Sequence, residues 1–128
     1  MSHLLDTNVV IHLRDGHPGV RNRLAALAGP LMVSIITRVE LEGGVLRDPS
    51  QAALRQARLD AILTSLQVQP FDQACAEAYR TIVGAAGYSR RKILDRMIAA
   101  QALALPATLI TTNAADFADI PGLKLLAW

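Results

Sequence analysis

What most limits the fold of this chain is a repeated change in hydrophobic period. Short, largely apolar or β-branched runs at 3–5, 31–34, 66–68, 108–111 and 124–126 read as strands. Between them lie longer segments whose apolar residues recur at helical spacing, at 7–14, 20–28, 36–46, 51–66, 72–87 and 92–105. Asp15-Gly16, Pro18-Gly19, Gly29-Pro30, Asp48-Pro49-Ser50, Pro70 and Pro121-Gly122 punctuate the pattern. Strands alternating with helices predict a parallel sheet covered on both faces. Ligands of such open sheets gather at the carboxyl ends of the strands.

With 128 residues, 52% of them hydrophobic, the chain is expected to be one domain spanning 1–128 with a sizeable core. Only 4% are aromatic, so Leu, Ile, Val and Ala must fill that core. The uncharged stretch 97–113 is broken by Gln101, Pro106 and threonines, and reads as a buried helix followed by a strand rather than a membrane span. Asp6 and Asn8 interrupt the first apolar run, and no basic segment precedes it. A secretory signal is therefore not expected, and a cytoplasmic location is. The single cysteine, Cys75, excludes an internal disulfide and sits among alanines as a packing residue.

Four acids stand where apolar segments give way to a cap or an alanine-rich helix face: Asp6, Glu40, Asp95 and Asp116. Asp6 follows the first strand, Glu40 lies in the helix after the second, and Asp116 lies just beyond the fourth, so three of the four reach the same rim of the sheet. Simpler roles are open to some of them. Asp6 is placed to cap a helix, and Thr37 with Glu40, like Asn113 with Asp116, has capping-box spacing. Asp95 is harder to explain that way. On a helix it falls in line with Ala99 and Ala102, with Arg91 or Arg96 as its only structural excuse. Acids beside core-bound runs are costly unless neutralised, and several crowded together need a cation between them. Mg²⁺, or Mn²⁺ in its place, prefers such oxygens and keeps waters of its own, so one or two ions would leave the site open to a phosphate. The pattern points to a metal-dependent nuclease.

Other chemistries fit less well. His3, His12 and His17 crowd the N-terminus without zinc spacing, no histidine follows to serve a Ser or Thr nucleophile, and there is no Gly-rich phosphate loop. Net charge is only +2, but Arg90, Arg91, Lys92 and Arg96 surround Asp95, and Arg14 and Arg38 fall near Asp6 and Glu40. Basic groups beside carboxylates help attract a phosphate backbone that the acids repel.

Four segments, in order along the whole chain, resemble the PIN-domain family and within it the VapC toxin ribonucleases. They are Leu5-Asp6-Thr7-Asn8-Val9, Ser34-x-x-Thr37-x-x-Glu40-Leu41-x-x-Gly44, Asp95-x-x-Ile98-Ala99-Ala100-x-Ala102, and Thr112-Asn113-x-x-Asp116-Phe117 with Ile120-x-Gly122-Leu123. The resemblance implies a three-layer α/β/α sandwich with a short, mainly parallel central sheet, a Mg²⁺ or Mn²⁺ site, and endonucleolytic cleavage of RNA such as tRNA or rRNA. It makes Asp6, Glu40, Asp95 and Asp116 the catalytic and metal-binding set, supported by Thr112 and Asn113. It also implies a homodimer restrained by a cognate antitoxin. The stretch Arg90-Arg91-Lys92 departs from the family pattern and is a candidate RNA contact. The rival reading is a non-catalytic PIN-like module that binds nucleic acid or protein; the complete acid set argues for the enzyme.

Overall fold

Side chains of the strands alternate between two apolar layers. Leu4, Met32 and Leu109 pack on one face of the sheet, and Leu5, Val33 and Ile110 on the other. Each set is aligned across the sheet by register, with Leu4 opposite Met32 and Leu109, and Leu5 opposite Val33 and Ile110. The computed structural model describes residues 2–128. Its strands are β1 (His3–Leu5), β2 (Leu31–Ser34), β3 (Gln67–Gln69), β4 (Thr108–Thr111) and β5 (Leu125–Ala127), in the order β3-β2-β1-β4-β5. All four pairings are parallel.

The helices divide between the two faces. α1 (Thr7–Arg14), α2 (Pro18–Ala25), α3 (Ile35–Val45) and α4 (Ala52–Ser65) supply Val9, Val10, Val20, Leu24, Leu41, Val45 and Leu59 to one layer. α5 (Gln73–Ala86) and α6 (Ile93–Ala104) supply Ile82, Ile98, Ala99, Ala100 and Ala102 to the other. Topology explains the division. The first two crossovers step outward from β1 to β2 to β3, whereas the third returns past them to β4. A crossover of constant hand that reverses direction must lie on the opposite face of the sheet. The result is the α/β/α sandwich expected from the alternating pattern.

Local differences from the sequence reading have identifiable causes. Helix α2 starts at Pro18 rather than at residue 20, because proline is pre-shaped for the first helical position and His17 Nδ1 accepts the Val20 N–H at 3.2 Å. Ser34 caps α3 by accepting the Ile36 N–H at 2.9 Å, so Thr37 and Glu40 form no capping box and stay free for other partners. Short 3₁₀ turns at Pro49–Gln51 and Arg90–Lys92 precede α4 and α6 instead of belonging to them, and a third spans Ala114–Phe117. Cys75 is buried, as expected. Among the described residues, no helix is long and apolar enough to cross a membrane.

Candidate active site

The strand order reverses beside β1, because the chain leaves it toward β2 and later returns on its other side to form β4. The crevice of a doubly wound sheet opens at that reversal, beyond the carboxyl ends of the two strands. Asp6 is the first residue past β1 and lies in that crevice. Its backbone N–H donates to the Ile110 carbonyl at 2.9 Å, which ties it to β4. Its Oδ1 accepts the Thr7 N–H at 2.8 Å, and its Oδ2 accepts the Thr111 hydroxyl at 2.8 Å. Asp6 is thus a helix cap as well as a buried carboxylate, 4% exposed.

A second acid reaches the crevice from α3. The Thr7 hydroxyl donates to Glu40 Oε1 at 3.0 Å and also lies 3.0 Å from the Thr37 hydroxyl. Since Thr7 has one hydroxyl proton and it is directed at Glu40, Thr37 must donate to Thr7. This relay, from buried Thr37 through Thr7 to Glu40, fixes the carboxylate. Asp95 enters from the first turn of α6 and is half-buried. Asp116 is exposed on the turn Ala114–Phe117, whose Phe117 is buried in the core.

None of the four acids has a cationic partner within ion-pair distance among the described residues. The ion pairs join Arg14 to Asp15, Arg38 to Glu42, and both Lys92 and Arg96 to Asp119. Arg96, a sequence-level candidate to neutralise Asp95, instead turns to Asp119 at 3.2 Å and to the Gly87 carbonyl. Burial therefore pushes Asp6 and Glu40 above the ordinary carboxylate range, despite their hydrogen bonds to threonine. Asp95 is pushed furthest, to about 6, first by burial and then by the charges of Asp6, Asp116 and Glu40, with Lys92 opposing. Lys92 thus acts on Asp95 only from a distance.

The acids suit a hard divalent cation. They offer carboxylate oxygens, carry charge that no ion pair offsets, and repel one another. Among the described residues, no three His, Cys, Asp or Glu side chains close round a common point. Mg²⁺ is typically held by one or two carboxylates and completes its shell with water.

The crevice is about 330 Å³, and its lining brings Asp6, Glu40 and Asp95 together with Arg14, Gly44, Arg47 and Arg55. A larger depression of about 480 Å³ lies at the opposite end of the sheet, around Ser2, Pro30, Pro106 and Thr108. Its only charged side chain is Lys124, so it lacks comparable chemistry.

The PIN domain family model matches residues 3–123. The chain belongs to the PIN-domain family. Ribonuclease VapC2 of Rickettsia felis is 33% identical, with 100% of this chain and 98% of the relative covered. The tRNA(fMet)-specific endonuclease VapC of Shigella flexneri is 28% identical, with 98% and 96% covered. Among solved structures, the crystal structure of VapBC2 from Rickettsia felis bound to a DNA fragment from their promoter matches with a TM-score of 0.88 at 31% identity, covering 100% of this chain and 99% of that one.

Within this PIN domain, the hydroxyl that braces Asp6 belongs to Thr111. Thr112 is half-buried, and Asn113 is exposed with no side-chain cap bond; its contribution is a backbone N–H donated to Thr111 Oγ1 at 2.9 Å. The expected capping box of Asn113 and Asp116 is therefore absent, and their link is Asp116 N–H to Asn113 carbonyl at 3.0 Å. Arg90 and Arg91 are exposed at the head of α6, while Lys92 is half-buried and paired with Asp119 at 3.5 Å. Arg47 and Arg55 went unnoticed in the sequence because both lie far along the chain from Asp6 and Asp95.

Thr111→Val should cost about 1.5–3 kcal/mol at neutral pH, because it leaves a buried carboxylate without its donor while keeping the shape. Denaturant unfolding at pH 7 and near pH 4 would check this. The loss should shrink at the lower pH, because the Asp6 carboxyl is raised and takes up its proton more readily than an ordinary carboxylate; an equal loss at both would assign the effect to packing and to the freed Asn113 N–H.

Proposed function

We propose that this chain, acting as a single PIN-like nuclease domain over 1–128, is the ribonuclease toxin of a toxin–antitoxin pair, hydrolysing RNA phosphodiester bonds with Mg²⁺ or Mn²⁺. The observation that carries the reading is the convergence of Asp6, Glu40 and Asp95 on one crevice at the strand-order reversal, with no ion pair to any of them among the described residues. Asp6, Glu40, Asp95 and Asp116 are the proposed catalytic and metal-binding residues. When bound, the cation would supply a more acidic water and offset charge on the phosphate.

The chain's own residues set up that chemistry. Donors from Thr7 and Thr111 occupy one lone pair on each oxygen of Asp6 and fix the plane of the carboxylate. The Thr37–Thr7 relay does the same for one oxygen of Glu40. Asp95, placed at the positive end of α6, holds a proton up to about pH 6 when no cation is present and must release it to bind one.

Relatives named as VapC nucleases and the VapBC2 complex support an antitoxin partner. The exposed apolar residues Val39, Leu46 and Leu54 favour a protein interface, with a second copy or with the antitoxin. The deciding experiment incubates purified, antitoxin-free protein with total tRNA and a structured RNA, with Mg²⁺ or Mn²⁺ against chelator. Discrete cuts that chelator abolishes are expected. RNA retained on the folded protein but never cut would favour the binding module.

The raised Asp95 carboxyl has a thermodynamic consequence. The unfolded chain loses this proton near pH 4 and the folded chain near 6, so the folded state binds more protons between those values. Metal-free stability should therefore fall as pH rises through that window and level off above it. For a half-exposed group the effect is about 1–2 kcal/mol after allowing for solvent screening. Thermal melts from pH 4 to 7 should show this fall with chelator and a smaller one with millimolar Mg²⁺. A metal-independent profile would argue against cation binding at these acids.

A further inference from the structure

Carboxylates line only part of the crevice. Its lining also includes Leu41, Gly44 and three arginines, Arg14, Arg47 and Arg55. Arg14 is engaged with Asp15 at 3.0 Å, and cations outside the lining are engaged too, Arg38 with Glu42 at 3.7 Å and Lys92 and Arg96 with Asp119. Among the described residues, Arg47 and Arg55 have no carboxylate within that range.

Arg55 is the more telling of the two. It lies in the first turn of α4 and is half-buried. A cation at the positive end of a helix dipole gains nothing for the helix and costs a little. The charge nearest in influence is Asp48, whose carboxyl is held low first by the Ser50 hydroxyl and least by Arg55. That carboxylate is already occupied, accepting the Ser50 hydroxyl at 2.7 Å and its N–H at 3.2 Å. Arg47 lies just past the end of α3 and is exposed, a favourable place for a cation with or without a ligand. Gly44 also lines the crevice, and an added Cβ there would meet no atom within 4 Å.

We propose that Arg47 and Arg55 form a phosphate subsite that grips the backbone of a single RNA strand next to the bond presented to Asp6, Glu40 and Asp95. The inference rests on the ribonuclease reading and specifies how its substrate is held. The acids repel a polyanion and need a counterweight in the same crevice. Guanidinium forks match phosphate oxygens in shape and charge. A crevice of about 330 Å³ suits one strand with its bases splayed, the form in which RNA sequence is accessible to proteins. An inhibitory peptide would have to bring a cation for the acids and an anion for the arginines, whereas a phosphodiester chain with its counter-cation meets both.

The test uses Arg47→Gln, Arg55→Gln and the double variant, each in the Asp95→Asn protein, titrated against a fluorescein-labelled, unstructured oligoribonucleotide at several KCl concentrations. Each substitution is expected to weaken binding about 5–10-fold and to reduce the slope of log K against log salt by about 0.7. Arg58→Gln, exposed on α4 and off the crevice lining, should change neither. In the otherwise wild-type protein, the double variant should raise KM at least tenfold with kcat changed less than threefold. Unaltered RNA affinity and salt slope in the double variant, with wild-type protein still cutting RNA, would overturn the subsite alone. Loss of antitoxin binding with RNA binding intact would also overturn it and assign the pair to the protein partner. If wild-type protein neither binds nor cuts RNA, the ribonuclease reading falls and the subsite with it.

Discussion

Asp95→Asn is expected to abolish metal-dependent RNA cleavage, by roughly three orders of magnitude or more, while leaving the protein folded and slightly harder to melt. Asparagine keeps the size and planarity of the side chain but removes the charge that Asp6, Asp116 and Glu40 repel. It also removes one anionic oxygen ligand from the proposed cation site. Losing several kcal/mol of transition-state charge stabilisation corresponds to at least a thousandfold, since each 1.36 kcal/mol is tenfold in rate. The same removal relieves repulsion in the metal-free protein, so its melting temperature should rise by about 2–6 °C at pH 7. Cleavage rates with Mn²⁺ and thermal melts with chelator, run on one preparation, measure both. A variant that cleaves at a tenth of the wild-type rate or better would remove Asp95 from the site. Lost cleavage together with a lowered melting point would make its role structural.

Phe117→Ala should have the largest effect on stability, a loss of about 3–5 kcal/mol. Phe117 is 1% exposed and heads the fully buried side chains by volume. It packs in the layer with Leu4, Leu109, Ile82 and Ile98. Its ring also anchors the turn Ala114–Phe117 and, with it, the neighbouring Asp116. Truncation opens a cavity beneath that turn, so RNA cleavage per folded molecule should fall as well. Phe117→Leu should cost less, because much of the volume is retained. Urea unfolding of both variants checks the order. A loss below about 1.5 kcal/mol for alanine would mean that the turn collapses onto the core without the ring.

The two variants separate two kinds of sequence signal. The strands and most helices were legible because apolar period reports burial, and each strand must divide its residues between two covered faces. Boundaries shifted where capping chemistry outranked period: Pro18 started a helix where a turn was expected, and Ser34 took the cap for which Thr37 had the spacing. Asp6 and Asp95 stood out because an acid beside core-bound residues needs a physical reason. Thr111 did not. Whether Thr111 or Thr112 faces Asp6 depends on the parity of β4, and a shift of one residue sends every side chain to the other face.

From residue types and their spacing alone, the chain was committed to a parallel sheet with helices on both faces and to acids gathered at one rim. Local periodicity and the high cost of burying charge are properties that each segment carries by itself. Strand order was decided only in three dimensions, and it placed the reversal, and hence the crevice, between β1 and β4. Tertiary structure also turned Arg96 away from Asp95, aimed the Thr111 hydroxyl at Asp6, and set Arg47 and Arg55 along the crevice lining. It raised the Asp95 carboxyl to about 6, first by burying it and then by bringing three other acids near it. Coulomb energy depends on distance through space, and separation along the chain does not set that distance.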